Sequence, residues 1–229
     1  MLGFMNTPTP ALAATAIIDA HHPSVRAFVD AHAGTGSARE RAVALYYAVR
    51  DGIRYDPYQI DLSVAGLSAS QVLANGFGWC VPKAVLLTAV CRAAGIPARI
   101  GLADVRNHLS TQRLRETMGT DVFYGHGYTA IWLDDQWVKA TPAFNLSLCE
   151  KMRLHPLEFD GRADSIYHPF DLEGRRHMEY VRMRGEFDDL PREEILRLFT
   201  EHYPAMPGLE KADWERDVQR ESDLSRPPN

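Results

Sequence analysis

The stretch Gly76-Phe77-Gly78-Trp79-Cys80-Val81-Pro82-Lys83 constrains this chain more than any other. It reads as a glycine-rich loop running into a long apolar helix, with a cysteine at the junction. Residues 81–94 supply the helix (Val-Pro-Lys-Ala-Val-Leu-Leu-Thr-Ala-Val-Cys-Arg-Ala-Ala). Pro82 is compatible with it only in the first turn, where its missing N–H is not needed. Gly95 ends the helix and Pro97 forbids its continuation. Cys80 therefore falls at or next to the N-cap. Unpaired N–H groups and a partial positive charge at that position favour the thiolate, the reactive form of a cysteine. The same residues also fit an ordinary buried thiol. Cys91, deep in the apolar run, and Cys149 read as core.

The chain has 229 residues, 45% of them apolar, enough for a full core. This favours one domain: an N-terminal arm and short helix over 1–36, a core over 37–146, and a largely helical or irregular extension over 147–229. A net charge of −5 argues against a nucleic-acid or anionic-membrane partner. No apolar run is long enough to span a bilayer. Residues 11–16 look like a leader-cleavage region, but no basic residue precedes them and Pro8 and Pro10 break the apolar stretch. The expectation is an unprocessed, cytoplasmic protein. Three cysteines without a Cys-x-x-Cys pair, nine histidines without ligand spacing, and the absence of a His-Glu-x-x-His or EF-hand pattern indicate no disulfide framework, metal or cofactor.

Ahead of the central helix, residues 23–33 form a short helix closed by Gly34. Ser37-Ala38-Arg39-Glu40 is a capping box opening a helix to about Gly52, with Ala42, Leu45, Tyr46 and Val49 as its apolar stripe. Pro57 stops the segment Arg54-Tyr55-Asp56-Pro57-Tyr58, whose aromatics read as packing. Ser68-Ala69-Ser70-Gln71 is a second capping box. Gln71 either completes that cap or offers a side-chain amide to an oxyanion. Residues 96–105 form a strand. Residues 106–120 are polar and unpatterned, a long loop suited to rim a site. Residues 122–133 and 136–141, rich in aromatic and β-branched residues and separated by Asp134-Asp135, form a hairpin. On its first strand His126, Tyr128, Ala130 and Trp132 share a face. Glycines flank His126 and permit close approach of another backbone or of a substrate. Asp164, His168, Asp171 and His177 read as surface residues. Residues 191–199 form a helix, and the extension is placed to cap a cleft.

A cysteine nucleophile needs a base and donors for the oxyanion of its tetrahedral intermediate. His126 is the candidate base, and the backbone N–H of Cys80 a candidate donor. Gly-Trp-Cys at a helix start, then Ala-Gly-Ile-Pro-Ala-Arg, then His-Gly-Tyr-Thr-Ala-Ile-Trp-Leu-Asp-Asp-Gln-Trp-Val, with Val-Arg-Asp-Gly-Ile-Arg-Tyr-Asp-Pro upstream, resembles the core of the transglutaminase-like superfamily over roughly residues 38–145. The resemblance implies a papain-like α+β fold, with a nucleophile helix packed on an antiparallel sheet and helical terminal extensions. It implies Cys80 as nucleophile and His126 as base, acting on an amide bond of a peptide or protein. Water resolves the thioester in a peptidase or amidase, an amine in a transglutaminase. The family usually carries an aspartate on the next strand. Here Trp137-Val138-Lys139-Ala140-Thr141-Pro142 puts Thr141 in its place, and Asn145 is an alternative orienting residue. That departure keeps a second expectation open, a weakly active or inactive protein-binding module of the same fold.

Overall fold

A computed structural model describes residues 9–107, 110–166, 172–174, 178–206 and 209–224. In chain order these form α1 (Pro23–His32), α2 (Ala38–Gly52), β1 (Arg54–Tyr55), α3 (Val64–Leu67), α4 (Ala69–Asn75), β2 (Phe77–Gly78), α5 (Cys80–Ala93), β3 (Ala98–Asn107), α6 (Gln112–Met118), β4 (Val122–Leu133), β5 (Gln136–Ala140), α7 (Leu146–Met152), β6 (Met178–Phe187), α8 (Arg192–His202) and α9 (Trp214–Leu224). His168, Asp171 and His177 lie outside the described residues.

The fold is α+β. Helix α5 packs on an antiparallel sheet ordered β5-β4-β3-β6. Every residue of α5 from Cys80 to Arg92 is buried, as befits a helix that is apolar on all sides. The sheet covers one side of it, and α1, α2 and α4 cover others. Two basic residues on α5 are buried with it, and both are satisfied by backbone carbonyls. Lys83 Nζ donates to Arg50 O and Ile53 O, where α2 ends, and Arg92 donates to Ala98 O and Asp188 O.

The local signals act as the residues suggest. The Ser37–Glu40 capping box forms both of its hydrogen bonds, and the stripe Ala42, Leu45, Tyr46 and Val49 is buried. Asp134 and Asp135 both take positive φ (48° and 63°), the geometry of a tight two-residue hairpin turn. Gly95, at φ 75°, closes α5 as Ile96 N–H returns to Cys91 O at 2.9 Å.

Two expectations need correction. Residues 106–120 are not one loop. Thr111 caps α6 by accepting from Leu114 N–H, and Gly119 ends it in the left-handed conformation. Three cues mark such a helix (a threonine cap, a Leu/Met pair four apart, a closing glycine), but seven residues give no full amphipathic period to read. The Ser68 box is half-formed. Its hydroxyl accepts from Gln71 N–H, but the Gln71 side chain turns forward to Asn75 Oδ1 (2.8 Å).

Candidate active site

Helix α5 begins at Cys80 itself. Trp79 is the N-cap in extended conformation, and Pro82 occupies the first turn. The parallel pair β1–β2 fixes what stands beside this start. Arg54 faces Phe77 and Tyr55 faces Gly78, with Asp56 N–H donating to Gly78 O at 3.1 Å. Strand β4 crosses on the other side. Thr129 Oγ1 donates to Ala84 O at 2.9 Å, joining the strand to α5 one turn past the cysteine. Gly127 lies so close that a Cβ there would stand 2.7 Å from Val81 Cα and 3.1 Å from Cys80 O. The backbone N–H groups of Gly127, Val81 and Cys80 are the influences that favour the thiolate at this sulfur. Gly125, at φ 74°, takes a conformation that side chains rarely adopt, and its α-carbon is covered by Ile195 and Leu198 of α8. The two glycines around His126 thus admit α5 and α8 respectively.

Cys80 and His126 line one cavity of about 40 Å³, walled also by Tyr55, Trp79, Phe199 and Tyr203. Leu114 and Met118 of α6 and Met206 close its rim, so the segment read as a loop does border the site. Both residues of the Cys–His pair are 4% exposed. A space of this size holds about one water molecule. The roof is α8 and the turn after it. Phe199 packs on Trp79 with ring centroids 5.5 Å apart, and Tyr203 donates to Val122 O and accepts from Tyr124 N–H. Behind the His126 strand, Asp104 is buried at a bulge of β3. It accepts from Gly125 N–H (3.1 Å) and from two nitrogens of Arg184 (2.6 and 2.9 Å), which also pairs with Glu194 of α8.

Burial decides the state of the thiol. It pushes the Cys80 pKa up to about 12, against the lowering by the three N–H groups. The helix start alone would make the thiolate easier to form. Desolvation outweighs these influences and favours the neutral thiol.

The other residues singled out from the sequence are placed as follows. Thr141 Oγ1 is buried and makes no hydrogen bond, so it does not hold the imidazole. Asn145 does not line the cavity. Its Oδ1 accepts from Tyr55 N–H (3.0 Å) and its Nδ2 donates to Ser147. Gln71 is exposed and does not line the cavity. Cys91 and Cys149 are buried free thiols. Tyr55, read as packing, is part of the site wall. Only its strand pairing with Gly78 reveals that, and a two-residue parallel bridge leaves no periodic trace in sequence.

Residues 26–142 match the family model of the transglutaminase-like superfamily. The chain belongs to that superfamily. The matched segment runs from α1 to just past β5 and so contains Cys80, His126 and Thr141. No curated protein matches the chain. Among solved structures it is similar to a candidate cysteine protease from Cytophaga hutchinsonii, at 17% identity and a TM-score of 0.44, over 58% of this chain and 41% of that one. It is also similar to a candidate protease from Parabacteroides distasonis, at 19% identity and a TM-score of 0.37, over 56% and 25% of the two chains. The superfamily member described here thus spans less than half the length of either.

Proposed function

We propose that this protein is a cysteine-dependent acyl-transfer enzyme acting on amide bonds of peptides or proteins. The supporting observation is the placement of Cys80, at the first position of α5, in one cavity with His126. The reaction starts from the neutral thiol. As Sγ attacks the carbonyl carbon, His126 takes the thiol proton and the carbonyl oxygen becomes an oxyanion beside the Cys80 N–H. Collapse breaks the C–N bond, and His126 returns the proton to the leaving amine. Water or an amine then resolves the thioester.

Phe199 of α8 and Tyr203 and Met206 after it line the cavity, so movement of α8 and its following turn would widen it for a peptide. Next to it, across Phe199, Tyr203 and Met206, lies a groove of about 570 Å³ lined by Tyr58, Ile60, Leu62 and Pro204. We assign it to an apolar side chain of the substrate. Three free thiols suit a reducing compartment, which supports a cytoplasmic location.

The test is covalent labelling with p-nitrophenyl acetate. Acetylation at Cys80, located by mass spectrometry, absent in Cys80→Ala and slowed in His126→Ala, is the expected result. Wild-type protein that is not acetylated at Cys80 refutes the reading.

The unpartnered Thr141 hydroxyl, where a carboxylate would hold the base, favours a second reading, a binding module with little turnover. Under it, Cys80→Ala keeps all cellular function. Under the enzyme reading, Cys80→Ala loses it.

A further inference from the structure

Acyl transfer at Cys80 needs a second donor for the oxyanion, and Gln71 is not placed to supply one. We propose that the Tyr55 hydroxyl is that donor, acting with the Cys80 backbone N–H. The proposal rests on the acyl-transfer reading above.

Tyr55 is held from three directions. Its strand pairing sets it beside Gly78, two residues before the nucleophile. Its own N–H is bound by Asn145 Oδ1. Its ring meets Phe144 and Trp214 edge-on, at centroid distances of 4.8 and 5.9 Å. The residue is 4% exposed and lines the cavity with Cys80 and His126. Yet its hydroxyl makes no hydrogen bond to any described protein group. A hydroxyl that borders the cavity without a protein partner is open to a partner that exists only during reaction.

The other polar groups of the cavity are committed or differently placed. The Tyr203 hydroxyl already donates to Val122 O and accepts from Tyr124 N–H. Tyr124 is half-buried, with its ring stacked on His202 at 3.7 Å. Trp79 packs against Phe199 and also walls a separate cavity beyond it. As for Tyr203, whose hydroxyl is already engaged, a charge on Cys80 adds to burial in raising the pKa of Tyr55 well above the phenol range. Tyr55 therefore keeps its proton as a donor at all working pH values.

In the step itself the Sγ–C bond forms and the carbonyl π pair moves to oxygen. The thiol proton passes to His126. Tyr55 O–H and Cys80 N–H donate to the oxyanion without transferring their protons. On collapse the leaving-group bond breaks and both donors are released.

The probe is p-nitrophenyl acetate, compared with iodoacetamide. Acetylation passes through an oxyanion, whereas alkylation at a saturated carbon does not. Tyr55→Phe keeps the ring and its contacts and removes only the donor. It should slow acetylation of Cys80 by about 10²-fold or more, while alkylation of Cys80 stays within about twofold of wild type. Unchanged acetylation overturns the proposal. Equal loss of both reactions overturns it too, because Tyr55 then acts on the thiol or the fold. A loss in Trp79→Phe with none in Tyr55→Phe would move the donor to the indole. Wild-type protein inert to the ester would instead remove the underlying acyl-transfer reading.

Discussion

The contact between Gly127 and the start of α5 makes the site depend on a missing methyl group, and Gly127→Ala measures that dependence. The added Cβ would stand 2.7 Å from Val81 Cα, 3.1 Å from Cys80 O and 3.2 Å from Val81 Cγ2. Carbon atoms settle at about 3.5–4.0 Å, so the closest contact falls short by roughly 1 Å. Two of the three opposing atoms are backbone, which a rotamer change cannot move. Gly127 is not among the positive-φ glycines, so alanine carries no conformational penalty there and crowding alone sets the cost. Strand β4 or the first turn of α5 must shift, at about 1–3 kcal/mol. The same shift separates His126 from Cys80, and a displacement of about 1 Å costs on the order of 10²-fold in rate. Urea unfolding should show a lower midpoint with an unchanged slope. Acetylation by p-nitrophenyl acetate, corrected for folded fraction, should fall by that factor. Stability within about 0.5 kcal/mol of wild type, the range of an inert surface change, would refute the crowding argument. Lower stability with undiminished acetylation would show that this contact does not set the geometry of the pair.

Phe199→Ala opens the roof. Rehydration should lower the Cys80 pKa by a unit or more, so that iodoacetamide labels Cys80 at pH 7 about tenfold faster, with Cys91 and Cys149 as references by mass spectrometry; an unchanged rate would mean that α8 does not control access. Arg184→Met leaves Asp104 buried without its cation and should cost about 3–5 kcal/mol in chemical denaturation, a loss that Asp104→Asn added to it should partly recover. Lys83, wholly buried, has its pKa pushed down to about 7, and its two carbonyl acceptors match the two N–H bonds of a neutral amine. Because the unfolded chain holds that proton up to about pH 10, wild-type stability relative to Lys83→Met should rise between pH 7 and 10, by up to about 1.4 kcal/mol per unit; a pH-independent difference would mean that the buried amine stays charged.

Cys80, His126 and the hairpin were legible because each lies on a local signal: glycines before a helix, a histidine in an apolar strand, two aspartates between β-rich runs. The helix–sheet order follows from those elements and from the family resemblance. The walls of the cavity were not legible. Tyr55 enters through a two-residue bridge, and Leu114 and Met118 come from a single short helix. Phe199 and Tyr203 reach the site from about 120 residues beyond Cys80. Their helix has an ordinary amphipathic pattern, and nothing in that pattern says which surface its apolar face will cover. The Gly125 gap opposite Ile195 and Leu198 supplies the answer only once β4 is in place. Thr141 and Asn145 illustrate the converse. Each stands near the expected point in sequence, but one hydroxyl is left unpaired and the other side chain serves the backbone of Tyr55.

The raised thiol pKa connects the roof to the chemistry. A helix N-terminus stabilises a charge by at most about 2 kcal/mol. Lifting a thiol from 9 to about 12 corresponds to roughly 4 kcal/mol in the opposite direction. Burial in the cavity therefore favours the neutral thiol of Cys80, with His126 lining the same cavity. Movement of α8 would change all of these together, by admitting water and substrate and restoring the advantage of the helix start. The contacts holding α8 down include Phe199 on Trp79, Ile195 and Leu198 over Gly125, the Tyr203 hydroxyl on β4, and the Arg184–Glu194 pair tied to Asp104. Asp104 also binds the N–H of Gly125, the residue before His126. The strand that carries His126 and the helix that covers Cys80 are thus linked through one buried carboxylate and Arg184, so displacement of the roof should shift His126 as well.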